Sequence, residues 1–370
     1  MIRLPIVPNS AAPPHEPFNG PPRAPQPLHD DALDPARRRL IDSHGRTIRE
    51  VRLSLTDRCN FRCVYCMDPD FRYMPKRELL TLQEYLTLGR VLRSLGVTKI
   101  RLTGGEPTLY PDLDAVIAGL AAMGVPDLTM TTNGSLLTPE RAARWKRLGL
   151  GRVTLSLDSL RDDRVRTITR SKTGVSAVIQ AIRAAQDAGL GPVKVNAVIL
   201  RGVNDDELPD FADFALKHGV DYRLIEFMPL DSQHQWSMDR VVSAREMRER
   251  IERRHPLTPE QDDPSSTSMN FRIAGRADAR IGLIAPVTRP FCGACSRLRI
   301  TADGKVRPCL FSHDEWDLRA VLRSVPLDDP GMDERLTRFL IDATWTKQAG
   351  HGIGSRTFAQ PARTMSAIGG

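Results

Sequence analysis

A chain of 370 residues with 41% hydrophobic content can bury a substantial core, as one large domain or two smaller ones. No run approaches the ~18 consecutive apolar residues of a membrane span, and the start of the chain, cut by Pro5, Pro8, Pro13 and Pro14, lacks the apolar stretch of a secretory signal, so a cytoplasmic location is expected. The net charge of +8 fits either a solvated basic surface or an anionic ligand, and composition does not choose between them.

Residues 1–38 are Pro-rich with few aromatics, cannot bury a core, and are expected to be disordered. Residues 39–260 then read as strand, turn and helix, repeated. Strands are expected at 51–55, 99–103, 127–132, 152–158, 193–200 and 222–228. Thr81 and Glu84 form a capping-box pattern ahead of apolar Leu82, Tyr85, Leu86, Leu92 and Leu95 on a helical period, and Gly96 stops that helix. Thr138-Pro139 opens another helix, and Gly189 and Gly219 end two more. Residues 261–370 differ. A polar link runs through Gln261–Ser268, followed by a cysteine-bearing, strand-like region, a helix near 333–347 and the terminal Gly369-Gly370.

Within the strands, residue types alternate with a period of two, which puts each set on one face. Val51, Leu53 and Leu55 oppose Arg52, Ser54 and Thr56. Ile100 and Leu102 oppose Lys99, Arg101 and Thr103. Leu128 and Met130 oppose Thr129 and Thr131. Val153, Leu155 and Leu157 oppose Thr154, Ser156 and Asp158. Val193 and Val195 oppose Lys194 and Asn196. Ile225 and Phe227 oppose Glu226 and Met228. A sheet with helices on both faces would be apolar on both. One polar face instead fits an α/β fold of the incomplete (β/α)6 barrel type, with helices outside and a wet lumen. That lumen would carry Arg52, Lys99, Arg101 and Lys194, which favours a small polyanion over a long nucleic acid.

The six cysteines fall into two groups of three, which suits metal sites better than three disulfides in a chain of this size. Cys59, Cys63 and Cys66 form a C-x3-C-x2-C motif just after the first strand, where barrel enzymes place active sites. Full thiolate ligation of an iron–sulfur cluster takes four cysteines, so three leave one iron open. A structural zinc site and buried free thiols are the alternatives, and zinc lacks a fourth ligand in this loop. The motif, with Tyr65 before the last cysteine, resembles the signature of radical S-adenosylmethionine (SAM) enzymes. Gly104-Gly105-Glu106-Pro107, after the second strand, resembles that family's GGEP turn. The resemblance implies a [4Fe–4S] cluster on Cys59, Cys63 and Cys66, with SAM contacted by Tyr65, Gly105, Ser156 and Met228.

Cys292, Cys295 and Cys309 form a second set, C-x2-C-x13-C, for which a Cys3His zinc site with His313 stands as an alternative to an iron–sulfur cluster. Between them Arg297 and Arg299 alternate along a strand, so their side chains point the same way. From about Asp42 to Gly370 the chain resembles the GTP cyclases that begin molybdenum-cofactor biosynthesis. The matching segments run from Arg52 through Cys63, from Arg101 through Pro107, from Thr131 through Gly134, from Val193 through Asn196 and from Phe291 through Arg299, with the Gly-Gly end. The resemblance implies a radical-SAM GTP 3′,8-cyclase with a second [4Fe–4S] cluster on Cys292, Cys295 and Cys309. It implies GTP contacts from Arg52, Arg101, Thr131, Lys194, Arg297 and Arg299, and a catalytic part for Gly369 and Gly370 inside the site. It further implies an external one-electron reductant, functional coupling to cyclic pyranopterin monophosphate synthase, and no nucleic-acid or membrane partner. A homodimer is a form to test, since the residues themselves give no oligomeric state.

Overall fold

The computed structural model describes residues 39–273, 276, 279–355 and 358–369. The expectation of disorder for 1–38, and the one for Gly370, fall outside the described residues. Six strands follow in chain order, each parallel to the last: β1 (Glu50–Ser54), β2 (Lys99–Thr103), β3 (Asp127–Thr132), β4 (Arg152–Ser156), β5 (Lys194–Ile199) and β6 (Asp221–Glu226). Helices lie between them: α1 (Leu82–Ser94), α2 (Leu113–Ala122), α3 (Pro139–Arg147), α4 (Asp162–Thr169), α5 (Val175–Asp187) and α6 (Leu208–His218). The capping box at α1 is formed. Thr81 N donates to Glu84 Oε2 at 2.7 Å and Glu84 N donates back to Thr81 Oγ1 at 3.3 Å.

The later part of the chain extends this sheet on both sides. After α7 (Ala244–Glu252) come β7 (Leu257–Pro259), β8 (Met269–Ile273), β9 (Arg280–Ile284), β10 (Arg297–Ile300), β11 (Lys305–Arg307) and β12 (Trp316–Asp317). β9 joins β6 in parallel and β10 joins β1 in parallel. The twelve-stranded order is β12-β11-β10-β1-β2-β3-β4-β5-β6-β9-β8-β7, so β9 and β10 flank the barrel without pairing to each other. The barrel is open, as the polar inner face required.

The apolar strand face meets the helices. Val51, Leu53, Leu55, Ile100, Leu102, Val153, Leu155 and Val195 are wholly buried in one continuous core with Tyr85, Leu88 and Leu92 of α1. Each such side chain contributes roughly 1.5–3 kcal/mol relative to exposure. The alternation fails in β6. Arg223 and Ile225 line the lumen, while Glu226 is fully buried on the helix side. There its carboxylate accepts from Ala244 N, at the start of α7, and from Val287 N and Thr288 N, each at 2.9 Å. Polarity suggested an inward Glu226; backbone donors satisfy it on the other face.

Candidate active site

The cysteine loop after β1 is held by backbone contacts that need glycine. Gly105 N donates to Thr56 O and Glu106 N to Arg58 O, both at 2.7 Å. A Cβ on Gly105 would lie 2.4 Å from Arg58 O, and one on Gly104 would lie 2.7 Å from Thr56 O. The glycines therefore let the GGEP turn seat directly beneath the cysteine loop. Glu106, 1% exposed, accepts from Thr132 Oγ1 at 2.6 Å, Thr108 Oγ1 at 2.7 Å and Asn133 N at 2.8 Å, tying that turn to the end of β3. Tyr73 OH donates to Cys59 O at 2.7 Å, and Tyr65 OH donates to Asp158 Oδ2 at 2.7 Å. Burial pushes the Cys59 thiol up to about 11, Cys66 to about 12 and Cys63 well above its usual range. Burial likewise raises Asp158 to about 6.

The second triad lines the same cavity at the other end of the strands, where β10 pairs Arg297 with Glu50 at the start of β1. Cys292 and Cys295 close a tight turn in which Cys295 N donates to Cys292 O at 3.1 Å, and Cys309 follows β11. Burial alone would raise the Cys295 thiol, but the Lys347 and Arg297 charges overcome it and hold the thiol below its ordinary value. His351 lines the cavity here and its Nε2 has no hydrogen-bond partner among the described residues. His313, the alternative fourth zinc ligand, does not line it. Among the described residues no three His, Cys, Asp or Glu side chains converge on a single-ion position.

Between the triads lies a cavity of about 570 Å³ with a cationic floor. Glu50 accepts from Lys99 Nζ at 2.9 Å and lies 3.5 Å from Arg101 Nε and 3.7 Å from Arg52 Nε. Burial would raise this carboxyl, yet the three cations drive it far below the usual carboxylate range. Arg101 donates to Thr131 Oγ1 at 3.2 Å. Arg223 Nε, Arg297 Nη2 and Asn196 Oδ1 are buried and lack hydrogen-bond partners among the described residues. Buried donors and acceptors left open in a cleft are what a polar ligand would satisfy. Burial, then the neighbouring Arg223, lowers Lys194 to about 8 against the partial support of Asp221 at 3.5 Å.

Residues 53–215 match the radical SAM superfamily, and residues 220–353 match the family described as Molybdenum Cofactor Synthesis C. A GTP 3′,8-cyclase of Streptomyces coelicolor is 45% identical over 335 residues, covering 90% of this chain and 96% of its own. A GTP 3′,8-cyclase of Corynebacterium glutamicum is 40% identical over 356 residues, covering 92% and 93%. The chain belongs to the GTP 3′,8-cyclase family. Among solved structures, Streptococcus suis SuiB bound to S-adenosylmethionine superposes with a TM-score of 0.58 at 14% identity, over 78% of this chain and 68% of SuiB, which speaks to fold alone.

As a member of the GTP 3′,8-cyclase family, the chain brings most of the residues singled out in its sequence to one cavity. Cys59, Cys63, Cys66, Tyr65, Gly105, Ser156 and Met228 line it at one end. Cys292, Cys295 and Cys309 line it at the other, with Arg52, Arg101, Thr131, Lys194, Arg297 and Arg299 between. Gly369 reaches it through its carbonyl, which accepts from Arg299 Nη1 at 2.8 Å. Arg152, Arg223, Asp158, Lys347 and His351 also line the cavity and were not named as site residues from the sequence. The strand period does carry Arg152, on the same face as Thr154 and Ser156, but not Arg223, which is out of phase with Glu226 and Met228. Nothing local marks Lys347 or His351.

Proposed function

We infer that this chain is a radical-SAM GTP 3′,8-cyclase, performing the first step of molybdenum-cofactor biosynthesis with SAM and two [4Fe–4S] clusters. The observation that carries the reading is the pair of three-cysteine sets facing each other across one arginine-lined cavity. We take residues 39–260 as the barrel and 261–370 as the region that adds the second set of thiols and the tail. When bound, the first cluster and SAM supply the 5′-deoxyadenosyl radical that removes the 3′ hydrogen of GTP, and the product carries a new bond from C3′ to C8.

The protein's own part is orientation, charge neutralisation and exclusion of water. Arg52, Arg101 and Lys194 neutralise a triphosphate laid along the floor, with guanidinium forks fixing its oxygens. Arg297 and Arg299 extend that cationic surface toward the second triad, so the base lies at the far end from the first. Tyr65 and Ser156 bound the SAM end. The six thiols and this chemistry suit the reducing cytoplasm, an external one-electron donor and delivery of product to cyclic pyranopterin monophosphate synthase.

Anaerobic reconstitution with iron and sulfide tests the reading. About eight irons per chain and 5′-deoxyadenosine release that depends on GTP are expected. Equal release with ATP, or without any triphosphate, would overturn the GTP assignment.

The lumen also predicts a pH dependence. With Lys194 drawn down to about 8, its ammonium is present below that pH and lost above it. A bound triphosphate needs the charge, so the apparent KM for GTP should climb by about tenfold as pH rises through 8. Lys194→Arg should flatten that climb. Equal pH profiles for the two proteins would remove Lys194 from the clamp.

A further inference from the structure

Lys347 is 3% exposed. It follows helix α9 (Met332–Trp345), itself preceded by α8 (Leu318–Leu322). Its Nζ donates to Arg297 O at 2.9 Å and to Pro308 O. Those carbonyls belong to the two chain segments that present Cys295 and Cys309, so the amine bridges the arms of the second triad. Among the described residues no carboxylate lies within ion-pair reach of it. The neighbouring Arg46 is different, since its Nε pairs with buried Asp42 at 2.6 Å while its other nitrogens bond Cys292 O, Gln348 O and Ala349 O. Two carbonyls and the carboxyl end of α9 ease the burial of the Lys347 charge. An ammonium held out of water still calls for an anion nearby. The groups beside it able to carry negative charge are the thiols of the second triad.

The first triad has different surroundings. The carboxylates Asp158 and Glu106 line the cavity with its cysteines, and its nearby cation, Arg62, which donates to Cys59 O at 2.8 Å, is only half-buried and so is screened by water. Net charge around a cluster and hydrogen bonds near its sulfurs are among the determinants of its reduction potential. A fixed cation stabilises the reduced state, which carries one more negative charge.

We propose that the Lys347 ammonium is the built-in counter-charge of the second cluster and holds its reduction potential above that of the first. The inference rests on the two-cluster reading. Electrons entering the protein would then reside on the second centre before the first, and Lys347 would act as a positioning and tuning residue without contacting the reacting atoms.

The test uses full-length chains that keep one triad each, with the other three cysteines changed to Ala, loaded anaerobically and titrated potentiometrically with EPR detection. The second cluster should reduce at the less negative potential. Lys347→Gln should move that potential in the negative direction, Lys347→Arg should leave it near the starting value, and neither should move the first cluster. An unchanged potential in a Lys347→Gln chain that still holds its iron overturns the proposal. Loss of the second cluster from the Gln variant but not the Arg variant supports it, since the charge is then what retains the cluster. Loss from both overturns it, since shape rather than charge is then at issue. If the chain lacking the first triad binds no iron even with Lys347 intact, the two-cluster reading itself has failed.

Discussion

Removing Gly369 and Gly370 is expected to abolish cyclisation while leaving both sets of cluster iron in place. The tail is fastened at several points before it reaches the cavity. Arg363 donates to both Asp303 oxygens at 3.0 and 2.8 Å, Ser366 Oγ donates to Cys66 O at 3.3 Å, and Ile368, 1% exposed, packs against Leu230 and Phe311. The Gly369 carbonyl then receives the buried Arg299 guanidinium at 2.8 Å. Gly369 has φ of +86°, and a Cβ there would lie 2.8 Å from Ser54 Cβ and 2.9 Å from Thr103 Oγ1. Glycine is the residue that tolerates both the dihedral and the approach. Loss of this contact releases a guanidinium that we assign to GTP. A misplacement of about 1 Å at a reacting centre can cost about a hundredfold, so Gly369→Ala should lose at least about that factor in product formation. Iron per chain and absorbance should match the parent protein. A truncated chain cyclising at the parent rate would show that the tail merely fills space.

The second large effect separates the two triads. Cys63→Ala should lose about four irons per chain and all reductive cleavage of SAM, with or without GTP. Cys309→Ala should lose a similar amount of iron yet still release 5′-deoxyadenosine from SAM, while forming no cyclised nucleotide. The reason is positional. Cys63 shares its loop with Tyr65 and rests on the Gly104-Gly105 turn, at the end that Ser156 and Met228 close. Cys309 lies with Arg297, Arg299 and Lys347 at the other end. Iron analysis and product chromatography check both variants. If Cys309→Ala failed to cleave SAM at all, the division of labour between the ends would be wrong.

Much of the site was readable because β-strands impose a strict period. Once Val51, Leu53 and Leu55 were set against Arg52 and Thr56, the inward face followed, and so did Lys99, Arg101, Thr131, Ser156 and Lys194 on the neighbouring strands. The period fails in β6, where polarity puts Glu226 in the lumen and the fold buries it on the helix side. Three backbone amides supplied by α7 and the segment after β9 satisfy that carboxylate from the helix side. Partners that far along the chain are invisible to a local pattern. Arg223, two residues before the lumen residue Ile225, is the lumen cation that was missed with it.

By itself the sequence determined the six barrel strands, the inward cations Arg52, Lys99, Arg101 and Lys194, two three-cysteine motifs and the glycines that the first motif's loop rests on, since each depends on spacing along the chain. Tertiary structure decided how these parts meet. β9 and β10 join opposite edges of the six-strand barrel without pairing to each other, which leaves it open, and the β10 register, with Arg297 opposite Glu50, sets the second triad by the start of β1 while the first follows its end. The fold also brings Lys347 against the carbonyls of Arg297 and Pro308, and Gly369 against Arg299. These contacts join residues 39, 50 and 70 positions apart. Such pairings are set by which buried charge finds which carbonyl or thiol in the packed chain, a matter of three-dimensional compensation that periodicity does not encode.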